Sequence, residues 1–254
     1  MKRIVSALAL LAACAIPAAL RGDSLIIAGG GFVGLWDTEI DLANTLAEPT
    51  DVSLSVRGLP LGAPCPPNCT GKTYRVPGHG TIRVLASDFI GELYAGPQMI
   101  RVETDAAVPA PVVHARSVSQ STASQFAELP VNRESSLQTL DPSVLVFPGA
   151  SRVFGTHSNL ILENIGSAGL SGAEVLVEVF DSQGQRLGSG QVSVVGESTF
   201  RATTVVDIVG ALGVSVLDAG QIRVTKLSGE GVLWGVLSTV VSDGFLKVNV
   251  GANP

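Results

Sequence analysis

Residues 25–42 read LIIAGGGFVGLWDTEIDL, and the fold turns on how this stretch is divided. Leu25–Ala28 is a short apolar run. Gly29, Gly31 and Gly34 come next in GxGxxG spacing, the fingerprint with which a strand hands a pyrophosphate to a helix N-terminus. A helix would then bring apolar residues every three to four positions. Instead Trp36, Thr38, Ile40 and Leu42 alternate with Asp37, Glu39 and Asp41, which is the period of a half-buried strand. Val52, Leu54 and Val56 alternate in the same way with Ser53, Ser55 and Arg57. The place for a ribose-binding acid after that second strand thus holds Arg57. The chain then runs into Pro60, Pro64, Pro66 and Pro67 rather than another βαβ unit. The glycines are read as a turn joining two strands. A dinucleotide-binding oxidoreductase using Gly29, Gly31 and Gly34 is the alternative.

The same words occur twice. Leu42-Ala43-Asn44 matches Leu162-Glu163-Asn164, and Gly78, Thr81 and Arg83 match Gly196, Thr199 and Arg201. Asp88-Phe89-Ile90-Gly91 matches Asp207-Ile208-Val209-Gly210, and Ile100-Arg101-Val102 recurs as Ile222-Arg223-Val224. Ser158, Leu160 and Leu162, then Val175, Val177 and Val179, repeat the alternation in the second half. Further strands are expected near 25–28, 73–76, 80–85, 98–104 and 111–118. In the second half they fall near 143–147, 191–195, 198–203, 221–226 and 232–241. Seven or so short strands per half imply an all-β chain of two tandem immunoglobulin-like antiparallel β-sandwich domains. Their bounds are 21–130 and 143–254, with the polar stretch 131–142 as linker. One short helix per half is expected after Asp88 and after Asp207, both N-cap residue types.

The order of these words resembles a group of uncharacterised secreted bacterial proteins built from tandem immunoglobulin-like β-sandwich repeats. The pattern is a Thr/Ser-led alternating strand closed by Asn, a Gly turn, a short Asp-led helix and an Arg-Val strand. The resemblance spans most of residues 25–250. It implies the fold and an exported protein, and brings no activity with it.

Residues 1–20, MKRIVSALALLAACAIPAAL, read as a signal peptide, with Lys2 and Arg3 ahead of an apolar core too short for a stable anchor. Leu11-Ala12-Ala13-Cys14 has the form of a lipobox, so Cys14 is a candidate for lipidation. The expected location is secreted, periplasmic or cell-surface, with no transmembrane span in the mature chain. Cys65 and Cys69 remain in an oxidising compartment, where a disulfide between them is the default. That bridge would brace the loop between Val56 and Pro77, which is longer than its counterpart in the second half. Loops on a rigid scaffold are where binding functions tend to sit.

Composition narrows the function classes. The 254 residues carry 16 Lys+Arg against 22 Asp+Glu, a net charge of −6, so phosphate-held nucleic acid is not an expected partner. Gly71-Lys72-Thr73 lacks the leading glycine of a phosphate loop, since position 66 is proline. His79, His114 and His157 have no metal spacing, and no GxSxG or SxxK motif is present. Asp37, Glu39 and Asp41 read as a solvated strand face, and Trp36 as core. No metal or cofactor is called for. The expectation is a non-enzymatic exported module that binds an extracellular or envelope partner or serves a structural role. An accessory carbohydrate-binding protein is a further alternative.

Overall fold

Alternation becomes strand wherever one face has a core to cover. The computed structural model describes residues 24–32, 34–57, 70–105, 108–121, 126–134, 144–165, 172–196, 202–240 and 246–250. Within them the chain is all-β, and the sheets are antiparallel and paired in sandwiches.

Sheet A has the order β4 (Gly71–Val76), β3 (Thr50–Val56), β6 (Gly96–Thr104), β1 (Leu25–Phe32), β9 (Val131–Arg133). Sheet B has the order β5 (Thr81–Leu85), β2 (Trp36–Ala43), β7 (Val112–Ser119), β8 (Phe126–Glu128). Sheet C runs β10 (Val144–Arg152), β15 (Leu217–Gly229), β12 (Ala173–Phe180), β13 (Arg186–Val194). Sheet D runs β14 (Thr203–Val205), β11 (His157–Ile165), β16 (Val232–Val240), β17 (Leu246–Val250). When β1–β8 are matched with β10–β17, the four-strand order of A without β9 coincides with C, and the order of B with D. Registers agree too. Ile100 lies beside Ile27 and Val56, as Ile222 lies beside Phe147 and Val179.

Three apolar clusters set the layers. Ile27, Leu54, Val56, Ile100 and Val102 of sheet A meet Ile40, Leu42, Val84 and Ala115 of sheet B. Phe147, Val177, Val179 and Ile222 of sheet C meet Leu160, Leu162 and Leu237 of sheet D. Ile26, Ala28 and Met99, on the opposite face of sheet A, meet Ile161, Ile165, Trp234 and Val236 of sheet D. The layers therefore run B, A, D, C. Sheet A is apolar on both faces along β1, which is why Leu25–Ala28 is a continuous apolar run rather than an alternating one.

Several elements depart from expectation. The stretch 131–142 does not begin as a linker, because β9 occupies Val131–Arg133 and Val131 sits beside Ile27 in sheet A. β8 and β17 are additional to the expected strands. The strand expected at 198–203 begins only at Thr203, residues 197–201 lying outside the described residues. The two Asp-led helices also differ. Asp207 accepts a hydrogen bond from the Gly210 N–H and caps the short α1 (Ile208–Ala211). Asp88 instead accepts from the Leu85 N–H behind it, at 3.0 Å, so its 3₁₀ turn (Ala86–Asp88) precedes it. Among the described residues no helix is long and apolar enough to cross a membrane.

Candidate functional site

Where β1 leaves the A–B core, sheets A and D part and enclose a cleft of about 210 Å³. The end of β1 makes one wall. Its register with β6 slips between Ile27 and Gly30, a bulge that bends the strand. Gly31 is needed there. Its φ is +131°, and a Cβ on it would stand 2.1 Å from the Gly96 carbonyl oxygen on β6. The bent strand is held by Thr38 on β2. The Thr38 hydroxyl accepts from the Gly31 N–H and donates to the Gly31 carbonyl, each at 2.8 Å. Thr38 is 1% exposed, so no water competes for these groups.

The fingerprint glycines thus have a structural placement. Gly29 and Gly31 are strand residues lining the cleft, and Gly34 lies in the turn into β2 with φ +59°. The chain beyond Gly34 enters strand β2, and the sheet order is antiparallel throughout. A dinucleotide fold needs a helix at that point and a parallel sheet.

The cleft's other wall is the outer face of sheet D. Asn159 and Ile161 on β11 stand beside Ser238 and Val236 on β16, and Thr204 on β14 stands beside Ile161. Trp36, Phe32 and Leu129 line it from the first half. Trp36 is half-buried and lies beyond the core rather than in it, whereas Trp234 is the buried indole. None of the lining side chains is ionisable.

The charged residues gather elsewhere. Glu134, just after β9, is buried between Arg57 and Arg101. Arg57 Nε donates to Glu134 Oε1 at 3.0 Å and Arg101 Nη2 to the same oxygen at 2.6 Å, while the Ser24 hydroxyl donates to Oε2. Burial works to raise the Glu134 pKa, but the hydrogen bonds from Arg101 and Ser24 and the charges of Arg101 and Arg57 hold it below the usual range. Asp41 is also lowered, chiefly by its hydrogen bond from Arg83 at 2.7 Å. Glu39 pairs with Arg116.

Asp37 corrects the reading of a solvated carboxylate face. It is 1% exposed and accepts from the Ser87 hydroxyl at 2.5 Å, the Ser87 N–H at 3.3 Å and the Gln120 amide at 3.3 Å. Those donors are 50 and 83 positions away, out of reach of any local pattern.

A second groove, of about 410 Å³, opens beside Arg152, His157, Asp207 and the fully exposed Phe154. Its cation is already committed, since Arg152 donates to Asp207 at 2.8 Å and to the Ser215 carbonyl at 2.5 Å. The three histidines are apart. His79 lies in a turn, His157 begins β11, and His114 on β7 faces Glu128 at 2.5 Å. Among the described residues no three His, Cys, Asp or Glu side chains are placed to share a metal ion. Cys14, Cys65 and Cys69 lie outside the described residues.

The hydroxyls and amide of sheet D carry no distinctive sequence pattern. Asn159 and Ser238 occupy outward positions of alternating strands, where a polar residue normally faces water. The run Val232–Leu237, apolar at nearly every position, is the available signal that this face of sheet D is covered. Comparison with protein-family models, with curated proteins and with solved structures finds no match for this chain.

Proposed function

We propose that this chain is an exported, non-enzymatic protein of two tandem immunoglobulin-like β-sandwiches, acting as a binding or structural module at the cell surface or in the extracellular space. The observation that carries the binding reading is the cleft between sheets A and D. Its walls combine aromatic and aliphatic surface with neutral hydrogen-bonding groups, at a junction between sandwiches, where ligand sites concentrate. The coincident strand orders of A with C and of B with D support the tandem reading. Export rests on residues 1–20, with Cys14 as the lipidation candidate and Cys65–Cys69 as the expected disulfide. The partner belongs to the envelope or the medium.

Fractionation of cells expressing the full chain tests export, together with the mass of the N-terminal peptide. The expected result is a chain shortened near residue 14 or 20 in the envelope or medium, with Cys65 and Cys69 linked in non-reducing peptide maps. A full-length chain in the cytoplasm with free thiols would overturn the proposal. Absorbance of the purified protein near about 450 nm would instead favour the flavin alternative at Gly29, Gly31 and Gly34.

A further inference from the structure

The wall of the cleft contributed by sheet D carries a hydroxyl on a largely buried residue. Ser238 is 8% exposed, and its hydroxyl has no hydrogen-bond partner among the described residues. Its neighbour across β11 and β16 is Asn159, whose Oδ1 accepts from the Asp207 N–H at 3.0 Å. That leaves the Asn159 NH₂ group without a partner among the described residues. Thr204, which is exposed, brings a further hydroxyl to the rim of the same wall. With Ser238 largely buried, Asn159 half-buried and Thr204 exposed, these groups open to the cleft, where water pairs them until a ligand takes its place.

The lining fixes what that something can be. A charged ligand would enter a cleft without a countercharge, which is strongly unfavourable. A purely apolar ligand would leave Ser238 and Asn159 unpaired. What fits is an uncharged molecule with one apolar face and a rim of hydroxyls. The apolar face has Trp36 and Phe32 to lie against, and the rim has Ser238, Asn159 and Thr204. The volume, about 210 Å³, is below the roughly 300–1,000 Å³ of sites for drug-sized ligands, so it suits one ring rather than a chain of them.

We propose that the cleft between sheets A and D binds a single uncharged monosaccharide ring, stacked on the Trp36 side and hydrogen-bonded from the Ser238–Asn159 side. This rests on the reading of the chain as a binding module. Its failure would leave the export result untouched, and cytoplasmic location would leave sugar binding untouched.

The chain has two tryptophans, so the indole N–H resonances of Trp36 and Trp234 are resolvable reporters. The mature protein is titrated separately with glucose, galactose, mannose and N-acetylglucosamine to about 50 mM, beyond the millimolar Kd that one small ring commonly gives. Cyclohexanol serves as the apolar control. The expected result is a saturable shift with at least one sugar, larger at Trp36 than at Trp234. Ser238→Ala should weaken that sugar about tenfold while leaving Tm unchanged or higher, because the hydroxyl is paired by water in the free protein. Trp36→Ala should abolish the binding. No saturable shift with any of the four sugars, tighter binding of cyclohexanol than of every sugar, or unaltered affinity in Ser238→Ala would each overturn the proposal.

Discussion

Thr38 and Ser158 make the same closure in the two halves. Each hydroxyl accepts from the backbone N–H seven residues earlier, Gly31 at 2.8 Å and Ser151 at 2.9 Å. Each also reaches the carbonyl of that same residue, at 2.8 and 3.1 Å. One hydroxyl thereby satisfies both backbone groups of a residue at the bent end of its strand. Ser158 adds a contact to the Thr239 hydroxyl at 2.9 Å, which ties β11 to β16. In both halves the register of the first strand with its neighbour slips just before this closure, between Ile27 and Gly30 and between Pro148 and Ala150.

Thr38→Val keeps the shape and removes the hydroxyl, leaving the Gly31 N–H and C=O buried and unpaired. The expected loss is about 2–3 kcal/mol, and Thr38→Ser should lose less than about 1 kcal/mol. Urea unfolding of the three proteins measures this. Equal stability of Thr38→Val and wild type would show that the closure carries no weight.

Gly31→Ala should be costlier than Gly34→Ala, although both glycines have positive φ. A Cβ at Gly31 meets the Gly96 carbonyl oxygen at 2.1 Å, whereas one at Gly34 meets nothing within 4 Å. Backbone strain alone predicts about 1–2 kcal/mol at Gly34, and the clash adds at least about 1 kcal/mol more at Gly31. A nucleotide-binding role for the two glycines would give no reason for this ranking, which thermal unfolding of the two variants reads directly.

The glycine stretch shows how much of this fold the sequence carries. Period two from Trp36 to Leu42 and from Val175 to Val179 identifies strands because alternation is a local consequence of covering one face. The bulge that makes Gly31 necessary is not local, since it depends on how close Gly96 of β6 comes to β1. Asp37 eludes a sequence reading for the same reason. Its donors Ser87 and Gln120 lie far along the chain, so a buried, satisfied carboxylate and a solvated one look alike in sequence. Val131–Arg133 reads as linker because β9 is three residues long, too short to show a period. The cleft is half legible. Trp36 and the glycines stand out, but the Ser238–Asn159 wall exists only because sheet D is covered by another sheet.

Glu134 makes stability fall on the acid side. Its folded pKa is below the unfolded one, so its contribution is fully present above the unfolded value, about 4.3, and is lost as pH drops through the folded value. The urea midpoint should therefore decline from about pH 5 downward. Glu134→Gln should lower stability by about 3 kcal/mol at neutral pH, because Arg57 and Arg101 lose their shared carboxylate. Its midpoint should then depend less on pH between about 5 and 3 than that of wild type. An unchanged acid profile in Glu134→Gln would show that this carboxylate does not set the acid limb.

Ile26→Ala tests the contact between sheets A and D without touching either sandwich core. The side chain is fully buried and belongs to the cluster that joins the halves. The variant should lose about 2–5 kcal/mol of stability. A loss within about 0.5 kcal/mol, the range of a surface substitution, would place Ile26 in solvent.

The stacking of sheet A on sheet D is the arrangement on which the cleft and its proposed ligand depend. Met1 and Met99 are the two methionines, so removal of the proposed signal peptide would leave a single methionine methyl. A nuclear Overhauser experiment on protein labelled at that methyl reads the neighbours of Met99 directly. Stacked sheets predict cross-peaks from it to protons of Ile161, Ile165, Trp234 or Val236 in the second half. Cross-peaks confined to residues of the first half would contradict the stacking.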